Sequence, residues 1–167
     1  GKPAAGLVLL REQILGPERF DAAFREYCRR WAFKHPSPVD FFRTMNDAAG
    51  EDLSWFWRGW FYTTGQLDQG VDSVMQADSS GQTFARISIS NQKELVMPVK
   101  MLLTLEDSTS FRRDLPVEVW LTSQTFTTGV LLPKKLIRVE IDPEEKMPDS
   151  DRTNNTWLTS DSTAIMP

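Results

Sequence analysis

The sequence predicts an α+β protein, in which an N-terminal bundle of about four helices is followed by an antiparallel, immunoglobulin-like β-sandwich. Three observations lead there. Apolar residues before position 67 recur at helical spacing. After it they alternate with polar residues at period two. Composition changes at the same place: 13 of the 18 aromatic residues precede residue 67, and residues 1–66 carry a net charge of +1 against -5 for residues 67–167. The expected division is therefore a helical segment at 1–66, a β-sandwich at 67–158 and a frayed tail at 159–167, with the border near Leu67-Asp68-Gln69-Gly70.

The helical elements follow in order. Leu7, Leu10 and Ile14 fit one face of a first helix that starts near Pro3 and stops at Gly16-Pro17. A second helix from Pro17 places Phe20, Phe24, Tyr27 and Trp31 on one side, and Pro36 and Pro38 stop it. Ser37 and Asp40 have the spacing of a capping box, which opens a third helix through Phe41, Phe42 and Met45 to Gly50. Asp52 is the expected cap of a fourth helix, where Leu53, Phe56, Trp57, Trp60 and Phe61 form a full core stripe. Trp55 and Tyr62 add apolar surface elsewhere, so this helix is expected to lie between layers.

The β elements are shorter. Strands are expected around Val71–Gln76 and Phe84–Ile89, with a turn at Ser79-Ser80-Gly81 between them. Further strands are expected at Val96–Leu105, Val117–Thr122 and Leu136–Ile141, and Thr125–Leu132 is a weaker candidate. After Asp142-Pro143 the chain reads as a polar loop, with Trp157 placed to pin it back to the body.

Composition excludes several function classes. With 40% hydrophobic and 25% charged residues over 167 positions, the chain can bury a core. A net charge of -4 provides no basic field for a phosphate backbone, so no nucleic-acid partner is expected. No apolar run approaches the roughly 20 residues of a membrane-spanning helix. The start, Gly1-Lys2-Pro3, does not read as a signal peptide. The single Cys28 and single His35 exclude a disulfide framework and a metal centre of two or three histidines. No catalytic, cofactor or metal residue is therefore expected within this chain.

The chemistry-bearing residues mostly read as structure. His35 reads as a surface histidine ending a helix. Cys28, beside Arg29 and Arg30, reads as a buried or half-buried structural thiol, since no histidine nearby offers a base. Arg25, Arg29 and Arg30 read as a solvated face or as partners of Glu26 and Asp21. The run Trp55-Phe56-Trp57-Arg58-Gly59-Trp60-Phe61 reads as core. Arg58 within it is the one candidate substrate-binding residue: a guanidinium among aromatics should be stacked or paired, and it could hold a substrate carboxylate. Asp149, Asp151 and Asn155 lack the glycine and closing glutamate of a calcium loop.

Taken together the motifs resemble one family. They are Lys2-Pro3-Ala4-Ala5-Gly6-Leu7, Leu10-Arg11-Glu12, Leu15-Gly16-Pro17-Glu18-Arg19-Phe20, Ala23-Phe24-Arg25-Glu26-Tyr27 and Trp31-Ala32-Phe33-Lys34-His35-Pro36. Asp40-Phe41-Phe42, Gly50-Glu51-Asp52-Leu53-Ser54-Trp55-Phe56-Trp57 and Trp60-Phe61 continue the series. This is similar to the helical segment that follows the zinc site in the gluzincin aminopeptidases, relatives of membrane alanyl aminopeptidase. Arg138-Val139-Glu140-Ile141-Asp142-Pro143 and Asp151-Arg152-Thr153-Asn154-Asn155 resemble the β-sandwich beyond it.

The resemblance implies a parent enzyme that removes N-terminal residues from peptides. Its zinc is held by two histidines of H-E-x-x-H and a later glutamate, and a tyrosine stabilises the oxyanion. None of those residues is present here, and the tyrosine position would fall just before Gly1. The chain then reads as a C-terminal, supporting piece whose partner is the catalytic domain of the same polypeptide, in a periplasmic, secreted or cytoplasmic parent. An apolar first helix without that domain favours self-association of the fragment. The alternative is a stand-alone, non-catalytic sandwich module that binds a peptide or partner protein at a sheet edge.

Overall fold

Helix α1 (Lys2–Leu9) runs without a break into a π-helical turn, Leu10–Leu15. The buried residues are Gly6, Leu10 and Leu15, not the expected stripe of Leu7, Leu10 and Ile14. The π turn is the reason. Its i→i+5 winding brings Leu15 under Leu10 and leaves Ile14 half-buried. Helix α2 (Pro17–Trp31) buries Phe20 and Ala23 and leaves Phe24 partly exposed. Helix α3 (Pro38–Ala49) begins with a complete capping box: Asp40 N–H donates to Ser37 Oγ at 3.3 Å, and Ser37 N–H donates to Asp40 Oδ2 at 2.8 Å. It ends at Gly50, whose φ of 74° is a left-handed conformation that a side chain would strain. Helix α4 (Ser54–Phe61) buries Phe56, Trp57 and Trp60. Burial of such side chains stabilises by about 1.5–3 kcal/mol each.

The structure, a computed structural model, describes residues 1–159. The expected frayed tail at 159–167 lies outside the described residues, apart from Thr159. The chain divides into two compact units after Thr64. In the second unit the strands pair antiparallel, in two sheets ordered β1-β2-β5 and β4-β3-β6-β7. The strands are β1 (Gln69–Ser79), β2 (Gln82–Asn91), β3 (Val99–Leu105), β4 (Ser110–Leu115), β5 (Thr125–Leu132), β6 (Leu136–Ile141) and β7 (Thr156–Leu158). Seven strands in two sheets give the expected sandwich. Relative to a constant-type immunoglobulin domain, the fourth strand has moved to the sheet of the third. The core follows the period-two pattern: Ala85, Ile87 and Ile89 from β2, Val99, Met101, Leu103 and Leu105 from β3, and Val139 and Ile141 from β6 are all buried.

One expected strand is absent. Val117–Trp120 is a 3₁₀ helix, not the beginning of a strand at Val117–Thr122. Val117 and Trp120 are buried at a spacing of three while Glu118 faces out, so the 3₁₀ period wins over the alternation. Trp120 Nε1 donates to Met97 O at 3.0 Å, which fixes that turn against the β3 approach. Two strands were not anticipated. Strand β4 buries only Leu115, and β7 buries only Trp157, paired opposite Val139.

Candidate functional site

The region around Arg58 is built by two helices. The N-cap of α4 is Leu53, without a side-chain cap bond, so the expectation that Asp52 caps this helix is corrected; Asp52 stands one residue further out, where its Oδ1 accepts from Ser54 N at 2.9 Å and also from the Ser54 hydroxyl. These bonds hold the Asp52 carboxyl below its usual pKa. Once α4 is in phase, Phe56, Trp57 and Trp60 turn inward, while Ser54, Arg58 and Tyr62 share the exposed side. The helix is thus exposed along one side within its own unit and not enclosed all round as expected. Arg58 makes no ion pair, hydrogen bond or ring contact through its guanidinium among the described residues. The expectation that it would be stacked or paired is corrected: the helical phase carries it away from the buried aromatic stripe.

Arg58 instead borders a groove of about 430 Å³ between α3 and α4. Helix α3 supplies Val39, Phe42, Arg43 and Asn46 to it. The α4 side supplies Ser54, Trp57, Arg58 and Tyr62. The floor is rigid: Trp57 stacks on Phe42 with ring centroids 4.7 Å apart and planes 21° apart, and Phe41 meets Trp57 edge-on at 5.7 Å. Asn46 locks the two helices together. Its Oδ1 accepts from Trp57 Nε1 at 2.8 Å and from Leu53 N at 3.3 Å, and its Nδ2 donates to Asp52 at 3.3 Å. At the rim Tyr62 and Val39 are 64% and 43% exposed.

Sequence reasoning singled out Arg58 but missed Arg43, Val39 and Asn46. A signal existed. The capping box fixes the phase of α3, and positions 39, 42, 43 and 46 then fall on one face. That this face meets α4 is a tertiary fact.

A second groove, of about 470 Å³, lies on the other side of Arg43 and includes Arg29, Arg30, Trp31, Lys34, Asp40 and Asp47. Its charges are largely satisfied. Glu26 accepts from Arg29 at 2.7 Å and from Arg30 at 2.6 Å, which lowers its pKa to about 2. Arg30 also lies 3.6 Å from Asp47, and Lys34 Nζ sits 5.9 Å from the Trp31 ring. Arg29 and Arg30 are therefore salt-bridge partners of Glu26. Asp21 pairs with Arg11 at 2.8 Å, not with Arg25.

The remaining sequence candidates do not come together. Cys28 is exposed and free, which corrects the expectation of a buried or half-buried thiol: α2 turns its Phe20 and Ala23 side inward and Cys28 lies off that side. His35 is exposed in the turn after α2. In the sandwich unit, Asp149 Oδ2 accepts from Gln69 N at 3.0 Å and its Oδ1 from Asp151 N at 2.9 Å. Burial beside Asp68 pushes the Asp149 carboxyl up despite those bonds. Asp151 Oδ1 accepts from Thr153 N at 3.0 Å and its hydroxyl at 2.5 Å. Both carboxylates are spent on folding their own loop and tying it to β1.

No group of three or more histidine, cysteine or acidic side chains among the described residues could hold a metal ion. A zinc of the kind the family resemblance implies does not fit the donors of this chain. No described helix is long and apolar enough to cross a membrane.

No protein-family model and no curated protein matches the chain. Among solved structures it is similar to aminopeptidase A of Legionella pneumophila, with a TM-score of 0.58 and 16% sequence identity. The match covers 88% of this chain and 16% of that one, so both units fall within a small part of a much longer polypeptide. At this identity the likeness shows a shared fold.

Proposed function

We propose that the chain is the non-catalytic, post-catalytic part of a zinc-dependent, gluzincin-type aminopeptidase. In the complete enzyme the helical unit forms a wall behind the active site, and the sandwich is a spacer or support. The reaction, removal of N-terminal residues from peptides, is carried by zinc and general-base residues outside this chain. The observation that carries the reading is the fold: helices followed by a sandwich, matched over 88% of this chain to a segment of an aminopeptidase. The motif order from Lys2 to Asn155 supports the finer assignment.

The reading frame that encodes the chain provides the test. The expected result is H-E-x-x-H within a few hundred codons upstream, a glutamate one helix later, and a tyrosine two places before Lys2. A complete frame without the zinc motif contradicts the proposal.

A further inference from the structure

We propose that the groove between α3 and α4 is a docking site for an acidic, apolar peptide segment, one in which aspartate or glutamate stands next to leucine or an aromatic residue. The floor asks for an apolar side chain, because Phe42 and Trp57 are only 8% and 3% exposed and present ring surface with no free polar atom. Trp57 Nε1 and both ends of the Asn46 amide are committed to one another, to Leu53 and to Asp52. The Ser54 hydroxyl donates to Asp52. Of the side-chain donors that line the groove, the Arg43 and Arg58 guanidiniums and the Tyr62 hydroxyl are left without a hydrogen-bond or ion-pair partner among the described residues. All of them seek an acceptor, and two carry a permanent positive charge.

Charge complementarity selects the partner. Within this unit Arg11, Arg19, Arg29 and Arg30 each reach a carboxylate. Arg25, Arg43 and Arg58 do not, and of these Arg43 and Arg58 border the same apolar groove. The acids beside that rim are already engaged: Asp52 is bonded by Asn46 and Ser54, and Asp40, in the second groove, is bonded by Ser37 and feels the Arg43 charge only at longer range. A carboxylate on the ligand would complete what the fold leaves open, through the forked geometry that makes arginine a strong carboxylate partner. Exposed tyrosine and arginine around a buried aromatic floor are also the residue types that dominate interface energetics. A groove of about 430 Å³ lies in the range of ligand-sized clefts. The site does not depend on the aminopeptidase reading and survives its failure.

The test uses the 167-residue chain and three synthetic peptides followed by amide and indole N–H chemical shifts at low salt. The first is acetylated and amidated Asp-Leu-Phe-Asp. The second is its neutral counterpart, Asn-Leu-Phe-Asn, capped in the same way. The third is Asn-Leu-Phe-Asn with a free C-terminal carboxylate. Saturable shifts are expected at Val39, Tyr62 and the Trp57 indole with the first peptide, weakening as salt rises. Arg58→Gln and Arg43→Gln should each weaken it about three- to fivefold, the size of a solvent-accessible ion pair. Arg25→Gln, outside the groove, should leave binding unchanged. The proposal is overturned if the neutral peptide binds as well as the acidic one, or if the free-carboxylate peptide binds more tightly. It is equally overturned if the arginine variants, folded by circular dichroism, bind within the error of the parent, or if millimolar Asp-Leu-Phe-Asp gives no saturable shift.

Discussion

Replacing Gly6 by alanine sets two effects against each other. Gly6 lies inside α1, where alanine is favoured over glycine by about 0.8–1 kcal/mol on helix propensity alone. Its backbone, however, rests on the Trp60 indole. A Cβ at Gly6 would lie 2.9 Å from Trp60 Cε3 and 3.0 Å from Cδ2. Carbon atoms in good contact sit about 3.5–4.0 Å apart, so one of the two must retreat. Trp60 has little room to do so: it is 4% exposed, it stacks on Phe56 at 5.8 Å, and the Lys2 ammonium lies 5.8 Å from its ring. Overpacking of this kind costs about 1–3 kcal/mol, which outweighs the propensity gain. The expected result is a net loss of about 1 kcal/mol, or about 4–8 °C in Tm for a unit of this size. Tryptophan fluorescence is the assay, since four of the six tryptophans belong to the helical unit. Gly6→Val should lose more than Gly6→Ala. If Gly6→Ala melts above the parent, helix propensity dominates, and the close approach of α1 to α4 is not a constraint.

Further outcomes follow from the same contacts. Trp57→Ala should cost about 3–5 kcal/mol in chemical denaturation and Trp57→Phe about 1 kcal/mol, because phenylalanine keeps most of the stack on Phe42 but loses the bond to Asn46; equal losses would show that the ring contact contributes little. Ser37→Ala should lower helical-unit stability by about 1 kcal/mol by breaking the capping box, read as a lower urea midpoint at unchanged m. Glu26 is depressed to about 2 by Arg29 and then Arg30, so its contribution is present above pH 4.5 and lost as pH falls through about 2. Glu26→Gln should flatten the acid limb of helical-unit stability, and an unchanged limb would remove Glu26 as its source. Asp149 works in the opposite sense: its raised pKa adds stability to the sandwich only at low pH, and that contribution is lost as pH rises through the folded value.

What the sequence revealed depended on how local each signal was. The Ser37–Asp40 box and the apolar stripe of α4 are written in neighbouring residues, and both appear in the fold as read. Val117–Trp120 was ambiguous because Val-Glu-Val-Trp satisfies period two and period three equally, and only the burial of Trp120 against the Met97 carbonyl decides between them. The π turn was hidden for a similar reason, since Leu7, Leu10 and Ile14 fit an α-helix that the chain does not continue. Strand β4 carries too few apolar residues to show an alternation, and its pairing with β3 defines it. Arg58 stood out as a charge among aromatics, but its surroundings come from α3, and the pairing of two helices is not encoded in either one alone.

The measurement that bears most directly on the proposed supporting role of this chain is zinc content together with aminoacyl-reporter hydrolysis, taken on the complete translation product and on residues 1–167 alone. Zinc at one per polypeptide and hydrolysis are expected of the complete product only, because the described residues of this chain offer no donor set for the metal. Stoichiometric zinc with metal-dependent hydrolysis in the 167-residue chain would contradict that role, as would a complete product with neither.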